Sequence, residues 1–390
     1  MTTPKPARRA RPADRKRQLV DHAATLFTDR GYPQVSLADI ARAAGVTAPS
    51  LYRHFDDKQA LLAAAVMAGI DDLQTCTDRA LRTGSDPTAG LVRSVCALGA
   101  RRPQSTSLWR SASQHLSDEQ NREVALRIRE ILHRWAAAVA DGSDLSERQA
   151  AELCWAILSV AGSLQVHATR MPAGRAQSEI DLLVRRVLAL RPDDAPPLPA
   201  TPPPVTGIAT RRDEILDAAA RLFAERGYAG VGVDEIGAAV GITGPSVYKH
   251  FSSKLAILLG IGQRSAARLE AGVMAAYATT GDPAKLLGLL VDSYVGVITS
   301  TPDLSVGFNN SYALAGQPTA LDLLDVQRRY VGRWVDLLMQ TDPELTRERA
   351  AVAVHAALSV VNDAIRIRRG TARPDFAARM AYLMKGVLGL

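Results

Sequence analysis

Apolar residues recur at helical spacing along almost the whole chain. Near the start, Leu19, Val20, Ala23, Leu26 and Phe27 fall on one face of a helix that Gly31 stops. A second, shorter stripe runs through Leu37, Ile40, Ala41 and Ala44, with Ser36 and Asp39 spaced as an N-terminal cap, and ends at Gly45. Thr47 then opens a third helix, with Pro49 in the first turn, where a missing N–H costs little. Two short helices joined by a glycine turn describe a helix-turn-helix, whose second helix can lie in the major groove of DNA. Beyond Leu62 the chain is rich in Ala, Leu and Val with helix-forming charges, so the expected fold class is all-α.

The pattern occurs twice. Arg15–Leu62 and Arg211–Leu258 align without a gap at an offset of 196, and 22 of the 48 positions are identical. The tails also match: Leu158-Ser159-Val160 lines up with Leu358-Ser359-Val360, and Trp135 and Trp334 occupy similar places upstream. A repeat of this length is a duplicated domain rather than a solenoid unit. The chain therefore reads as two complete helical subunits fused head to tail.

The string A-x-x-L-F-x-x-R-G-Y, then I-A-x-A-A-G-V, then Tyr52-Arg53-His54-Phe55 and Lys58, resembles the TetR family of bacterial transcriptional repressors. Its second copy runs through Tyr248-Lys249-His250-Phe251 and Lys254. The fused arrangement is similar to actinobacterial double-TetR repressors of lipid-import (mammalian-cell-entry) operons. The resemblance implies two TetR-like subunits, each a three-helix DNA-binding domain on a helical ligand-binding and dimerisation domain. The implied divisions are a basic arm (1–14), a first module (15–62) with its regulatory region (63–190), a Pro-rich linker (191–210), and a second module (211–258) with its regulatory region (259–390). Glu147–Arg170 with Ser178–Leu190, and Arg347–Arg368 with Asp375–Leu390, are the expected pairing helices. They would form an intramolecular pseudo-dimer, with a homodimer as a further possibility.

Between the halves stand Pro192, Pro196, Pro197, Pro199, Pro202, Pro203 and Pro204. Proline favours extended polyproline II, so this stretch reads either as a semi-rigid spacer or as a passive tether. No apolar run reaches membrane-spanning length without a charge, and no apolar stretch follows the charged N-terminus as in a secretory signal. Cys76, Cys96 and Cys154 are scattered without zinc spacing and read as small buried apolar residues in a reducing cytoplasm, near the nucleoid. No H-E-x-x-H, phosphate loop or G-x-S-x-G occurs, so neither an enzyme nor a metal or other cofactor is expected.

The net charge of +7 favours a polyanionic partner, and its distribution sharpens the point. Arg8, Arg9 and Arg11 lie in the basic arm before the first module and have no counterpart before the second. They are candidates for groove or phosphate contact, unless the arm is only solubilising. Thr47 and Thr243 start the recognition helices, where a hydroxyl caps the helix, touches DNA, or both. Ser50 and Ser246 are candidates for base edges or phosphates. Ala48 could meet a thymine methyl, which its counterpart Gly244 could not. By resemblance, Tyr52 and Tyr248 bond phosphates, with Arg53 and Lys249 beside them. His54 and His250 either donate to phosphate or pack against the next helix. Lys58 and Lys254 look like phosphate clamps, and Asp56 and Asp57 like caps of the fourth helix. Trp109, Trp135, Tyr294, Phe308, Tyr312 and Trp334 either line ligand pockets or fill cores.

The resulting expectation is a ligand-responsive transcriptional repressor of double-stranded operator DNA, released by a small effector, a lipid-like molecule among the candidates. The alternative is a small-molecule sensor or protein-interaction module whose DNA binding has decayed.

Overall fold

The computed structural model describes residues 12–82, 86–166, 171–199, 210–310, 313, 318–367 and 370–390, and among these it is helical, with no strand. The first half comprises α1 (Pro12–Arg30), α2 (Leu37–Ala43), α3 (Ala48–Tyr52), α4 (Lys58–Arg82), α5 (Pro87–Arg101), α6 (Pro103–Ala112), α7 (Asp118–Asp141), α8 (Glu147–Gly162) and α9 (Ala173–Leu188). The second comprises α10 (Arg211–Arg226), α11 (Val233–Ala239), α12 (Gly244–Val247), α13 (Lys254–Thr279), α14 (Pro283–Ser300), α15 (Asp303–Asn309), α16 (Pro318–Thr341), α17 (Arg347–Arg366) and α18 (Phe376–Leu388).

Local chemistry sets the boundaries. Ser36 and Asp39 form a reciprocal capping box at α2, as do Ser117 and Gln120 at α7 and Ser146 and Gln149 at α8. Pro87, Pro103 and Pro283 begin α5, α6 and α14, where no intrahelical donor is lost. Gly45 turns α2 into α3 at φ 64°, and Gly241 repeats the turn at φ 70°, a left-handed conformation that costs other residues a Cβ clash.

Helix α4 crosses the expected 62/63 division as one rod. Leu61, Leu62, Val66, Ile70 and Leu73 are buried along it, so the first module shares its core with the regulatory region. The second module has a separate apolar cluster, reached from its own regulatory region through Val306 and Leu323.

Helices α8 and α9 pack against α17, and α9 packs against α18. Polar contacts cross the same junction: Arg349 to Glu179 at 2.7 Å, Arg379 to Glu152 at 2.8 Å, and Arg186 Nη1 to Val387 O at 3.1 Å.

The start of the proline stretch is not an extended spacer. Pro192 is buried in a short 3₁₀ turn, Pro192–Asp194, and Asp193 pairs with Arg379. Arg191 N donates to Tyr382 Oη at 3.3 Å, and the Arg191 guanidinium reaches Asp144 at 2.7 Å. These contacts hold the segment against α18 and the loop between α7 and α8. Residues 200–209 lie outside the described residues.

Candidate nucleic-acid interface and cavity

Each module holds its recognition helix by its underside. Leu51 and Phe55 in the first, and Val247 and Phe251 in the second, are buried against their neighbours. Burying those positions turns the alternate ones outward: Tyr52 is 55% exposed and Tyr248 54%. Thr47, Arg53, Thr243 and Lys249 are also exposed, while Ala48, Ser50, His54, Ser246 and His250 are half-buried. Neither Thr47 nor Thr243 makes a side-chain cap bond, and Thr243 Oγ1 instead lies 3.0 Å from Ser246 Oγ. The threonine hydroxyls are therefore not used up as caps. Asp57 does cap the fourth helix, accepting from Ala60 N at 2.7 Å; Ser253 does the same in the second copy.

Two sequence expectations change. Gly244 is buried, and a Cβ there would lie 1.7 Å from Asp234 Oδ1, so this glycine admits the α11 carboxylate instead of facing outward. The two lysines turn inward. Lys254 Nζ donates to Tyr228 O and Val231 O at 2.8 Å each and stands 4.5 Å from the Tyr228 ring centroid. Lys58 Nζ stands 4.2 Å from the Tyr32 ring centroid. Burial pushes both ammonium groups below the usual lysine range. They tie the loop after the first helix to the fourth helix, which differs from an outward phosphate clamp. Arg8, Arg9 and Arg11 lie outside the described residues.

The first module is wired to its regulatory region by a stack. The His115 ring lies 4.5 Å from that of Tyr32, just beyond the C-terminal end of α6. Burial, and then the Lys58 charge, lower the His115 pKa. One helical turn or so before His115, Arg110 is buried and reaches across to the other half, 3.1 Å from Asp363. Its Nη2 donates to Leu158 O at 2.6 Å.

The halves differ inside. The second holds a cavity of about 510 Å³, partly open to solvent, with Leu269, Leu304, Phe308, Tyr330, Val331 and Val335 among its walls. In the first half Trp109 packs edge-on to Trp155 at 6.2 Å, and Trp135 Nε1 donates to Thr77 Oγ1 at 2.8 Å. A cleft beside Trp135 retains only about 10 Å³. The aromatic ambiguity thus resolves residue by residue. Trp109, Trp135 and Trp334 are buried in cores, Tyr294 and Phe308 line the cavity, and Tyr312 lies outside the described residues. The cavity could not be read from periodicity, because its space depends on what faces α17 across the fold.

The family model for bacterial regulatory proteins of the tetR family matches residues 19–65 and again 215–261. The HTH-type transcriptional repressor KstR2 of Mycolicibacterium smegmatis is 32% identical over 143 residues, which cover 34% of this chain and 69% of that protein. The HTH-type transcriptional activator FasR of the same species is 36% identical over 111 residues, 28% of this chain, so that the chain spans about half of it, 51%. Among solved structures, the ketosteroid transcriptional regulator KstR2 of Mycobacterium tuberculosis matches with a TM-score of 0.41 at 25% identity, covering 47% of this chain and 95% of that one. Carrying the family signature on both of its modules, the chain belongs to the tetR family of bacterial regulatory proteins.

Proposed function

We propose that the chain is a ligand-responsive transcriptional repressor that grips operator DNA with both modules and releases it when an effector fills the second-half cavity. The observation that carries this reading is the pair of outward-facing recognition helices on one chain whose halves pack through α8, α9, α17 and α18. In this reading the fused halves replace a homodimer, and residues 15–62 and 211–258 are the DNA-binding units. Tyr52, Arg53 and His54, with Tyr248, Lys249 and His250, hold phosphates and set register. Thr47, Ala48 and Ser50, with Thr243 and Ser246, face base edges. The arm with Arg8, Arg9 and Arg11 adds phosphate neutralisation.

Control runs through contacts between the halves. Asp363 lines the cavity and touches Arg110 of α6, and α6 leads to the His115–Tyr32 stack on the first module. An effector that favours one arrangement of this contact biases the module by its differential affinity for two states. The relatives' names include both an activator and a repressor, and repression is the sign proposed here.

Genome-wide mapping of bound DNA, followed by mobility shift on the mapped sequences, tests the reading. Two related half-sites and one chain per operator are expected. Failure of the chain to retard any mapped sequence would leave a sensor without DNA reading.

A further inference from the structure

Four residues of α17 project a polar stripe along a largely apolar helix. His355, Ser359, Asn362 and Arg366 follow one another at three- or four-residue spacing, and all line the second-half cavity. Two groups at this wall have protons to give. Asn362 Oδ1 already accepts from Tyr294 Oη at 2.8 Å, which leaves its amide N–H groups to donate. From α16, Tyr330 is buried beside Trp334, and burial raises the pKa of its phenol, so it stays protonated.

The charges at this end do not balance. Asp363 stands between Arg110, 3.1 Å away, and Arg366, 3.5 Å away. Two guanidinium groups therefore share one carboxylate, and Arg110 is only 4% exposed. The other polar partner of Arg366 is neutral: its Nε donates to Asn309 Oδ1 at 3.1 Å. The remaining charged lining residues are paired: Glu270 with Arg333 at 2.7 Å, and Arg328 with Asp325 at 2.9 Å. Among the described lining residues, Arg366 thus carries the unmatched charge. A half-buried cation that shares its carboxylate with a second guanidinium is better compensated when an anion completes it.

The first half shows why this site is single. The offset that aligns Ser159 with Ser359 puts Trp155 opposite His355, Gly162 opposite Asn362, Ser163 opposite Asp363 and Val166 opposite Arg366. Trp155 is buried there, edge-on against Trp109, and Gly162 leaves room for Arg110, since a Cβ there would lie 2.3 Å from Arg110 Nη1.

We infer that the cavity takes an amphipathic carboxylate, one per chain, with its apolar body against Leu269, Leu304, Val331 and Val335 and its carboxylate between Asn362 and Arg366. This names the ligand class of the effector site proposed above and rests on that reading. The carboxylate neutralises Arg366 and so relieves the competition between Arg366 and Arg110 for Asp363. An acyl chain or a fused-ring acid of ordinary size fits a pocket in this volume class.

The test uses the intact chain with cis-parinaric acid and, separately, its methyl ester, followed by fluorescence titration. The acid is expected to bind at one molecule per chain and at least tenfold more tightly than the ester. Arg366→Gln should abolish that preference, and Arg366→Lys should restore part of it. Equal affinities for acid and ester, two acids per chain, no saturable binding of the acid, or an undiminished preference in Arg366→Gln would each overturn the inference. DNA mobility shift without ligand is read in parallel. A chain that shifts DNA but shows no acid preference fails this inference alone, and one that prefers the acid but shifts no DNA fails only the earlier reading.

Discussion

At the scale of single residues, burial decides which groups remain available to a partner. His355 sits against the cavity, and burial holds its imidazole down to about 4. An unfolded histidine titrates at about 6.5, so the unfolded chain takes up a proton that the folded chain refuses between these values. Stability is therefore full above about 6.5 and falls as pH drops toward 4, by on the order of 3 kcal/mol from this group. Urea unfolding across that range should show a shallower pH slope in His355→Gln than in the parent chain. Gly162 offers a second check. A Cβ there would approach Arg110 Nη1 to 2.3 Å and Thr106 O to 2.8 Å. Gly162→Ala should cost about 1–3 kcal/mol by forcing α6 and α8 apart, seen as a lower denaturation midpoint with unchanged m-value. The thiols of Cys76 and Cys96, pushed up by burial to about 11 and about 12, should react slowly with alkylating agents while the chain is folded.

At the scale of elements, what neighbours in sequence determine was legible and what distant segments determine was not. The Ser36–Asp39 cap, the glycine turns and the buried Phe55 and Phe251 all follow from spacing within one or two turns. The roles of Gly244 and Lys254 do not, because Asp234 and the Tyr228 and Val231 carbonyls reach them from other elements. Nor does the docked start of the linker, which depends on Arg379 almost two hundred positions away. That arginine, 7% exposed on α18, meets Glu152, Asp193 and Asp375 together. Removing it leaves Glu152, whose pKa burial already raises above the usual carboxylate value, with only the more distant Arg373 at 4.0 Å. Arg379→Ala should therefore cost about 3 kcal/mol in urea unfolding and expose the 191–199 segment to proteolysis, whereas Arg373→Ala, with a more exposed guanidinium, should cost less.

At the scale of the whole molecule, the two halves are related but unequal. Arg15–Val66 carries seven basic and five acidic residues, against six and six in Arg211–Gly262, and only the first is preceded by the basic arm. Phosphate neutralisation dominates non-specific affinity, so the first module should anchor the complex and the second should act as a tethered site. Tyr52→Ala is expected to cost more operator affinity than Tyr248→Ala at physiological salt. Deleting residues 1–12 should flatten the salt slope by up to about 0.9 for each phosphate no longer neutralised. Equal losses at the two tyrosines with an unchanged slope would indicate a symmetric machine.

The Arg110–Asp363 contact also bears on who pairs with whom. A homodimer must present the same residue at both copies of a contact, but a fused chain is free of that constraint. If two first halves came together in the same geometry, each Arg110 would face Ser163 and bury a guanidinium with no carboxylate to meet it. The cost falls on the wrong pairing alone, which is how a single buried ion pair encodes partner choice. Isolated residues 1–190 should accordingly stay monomeric at concentrations where they associate with separately made residues 210–390, as sedimentation of the two alone and mixed would reveal.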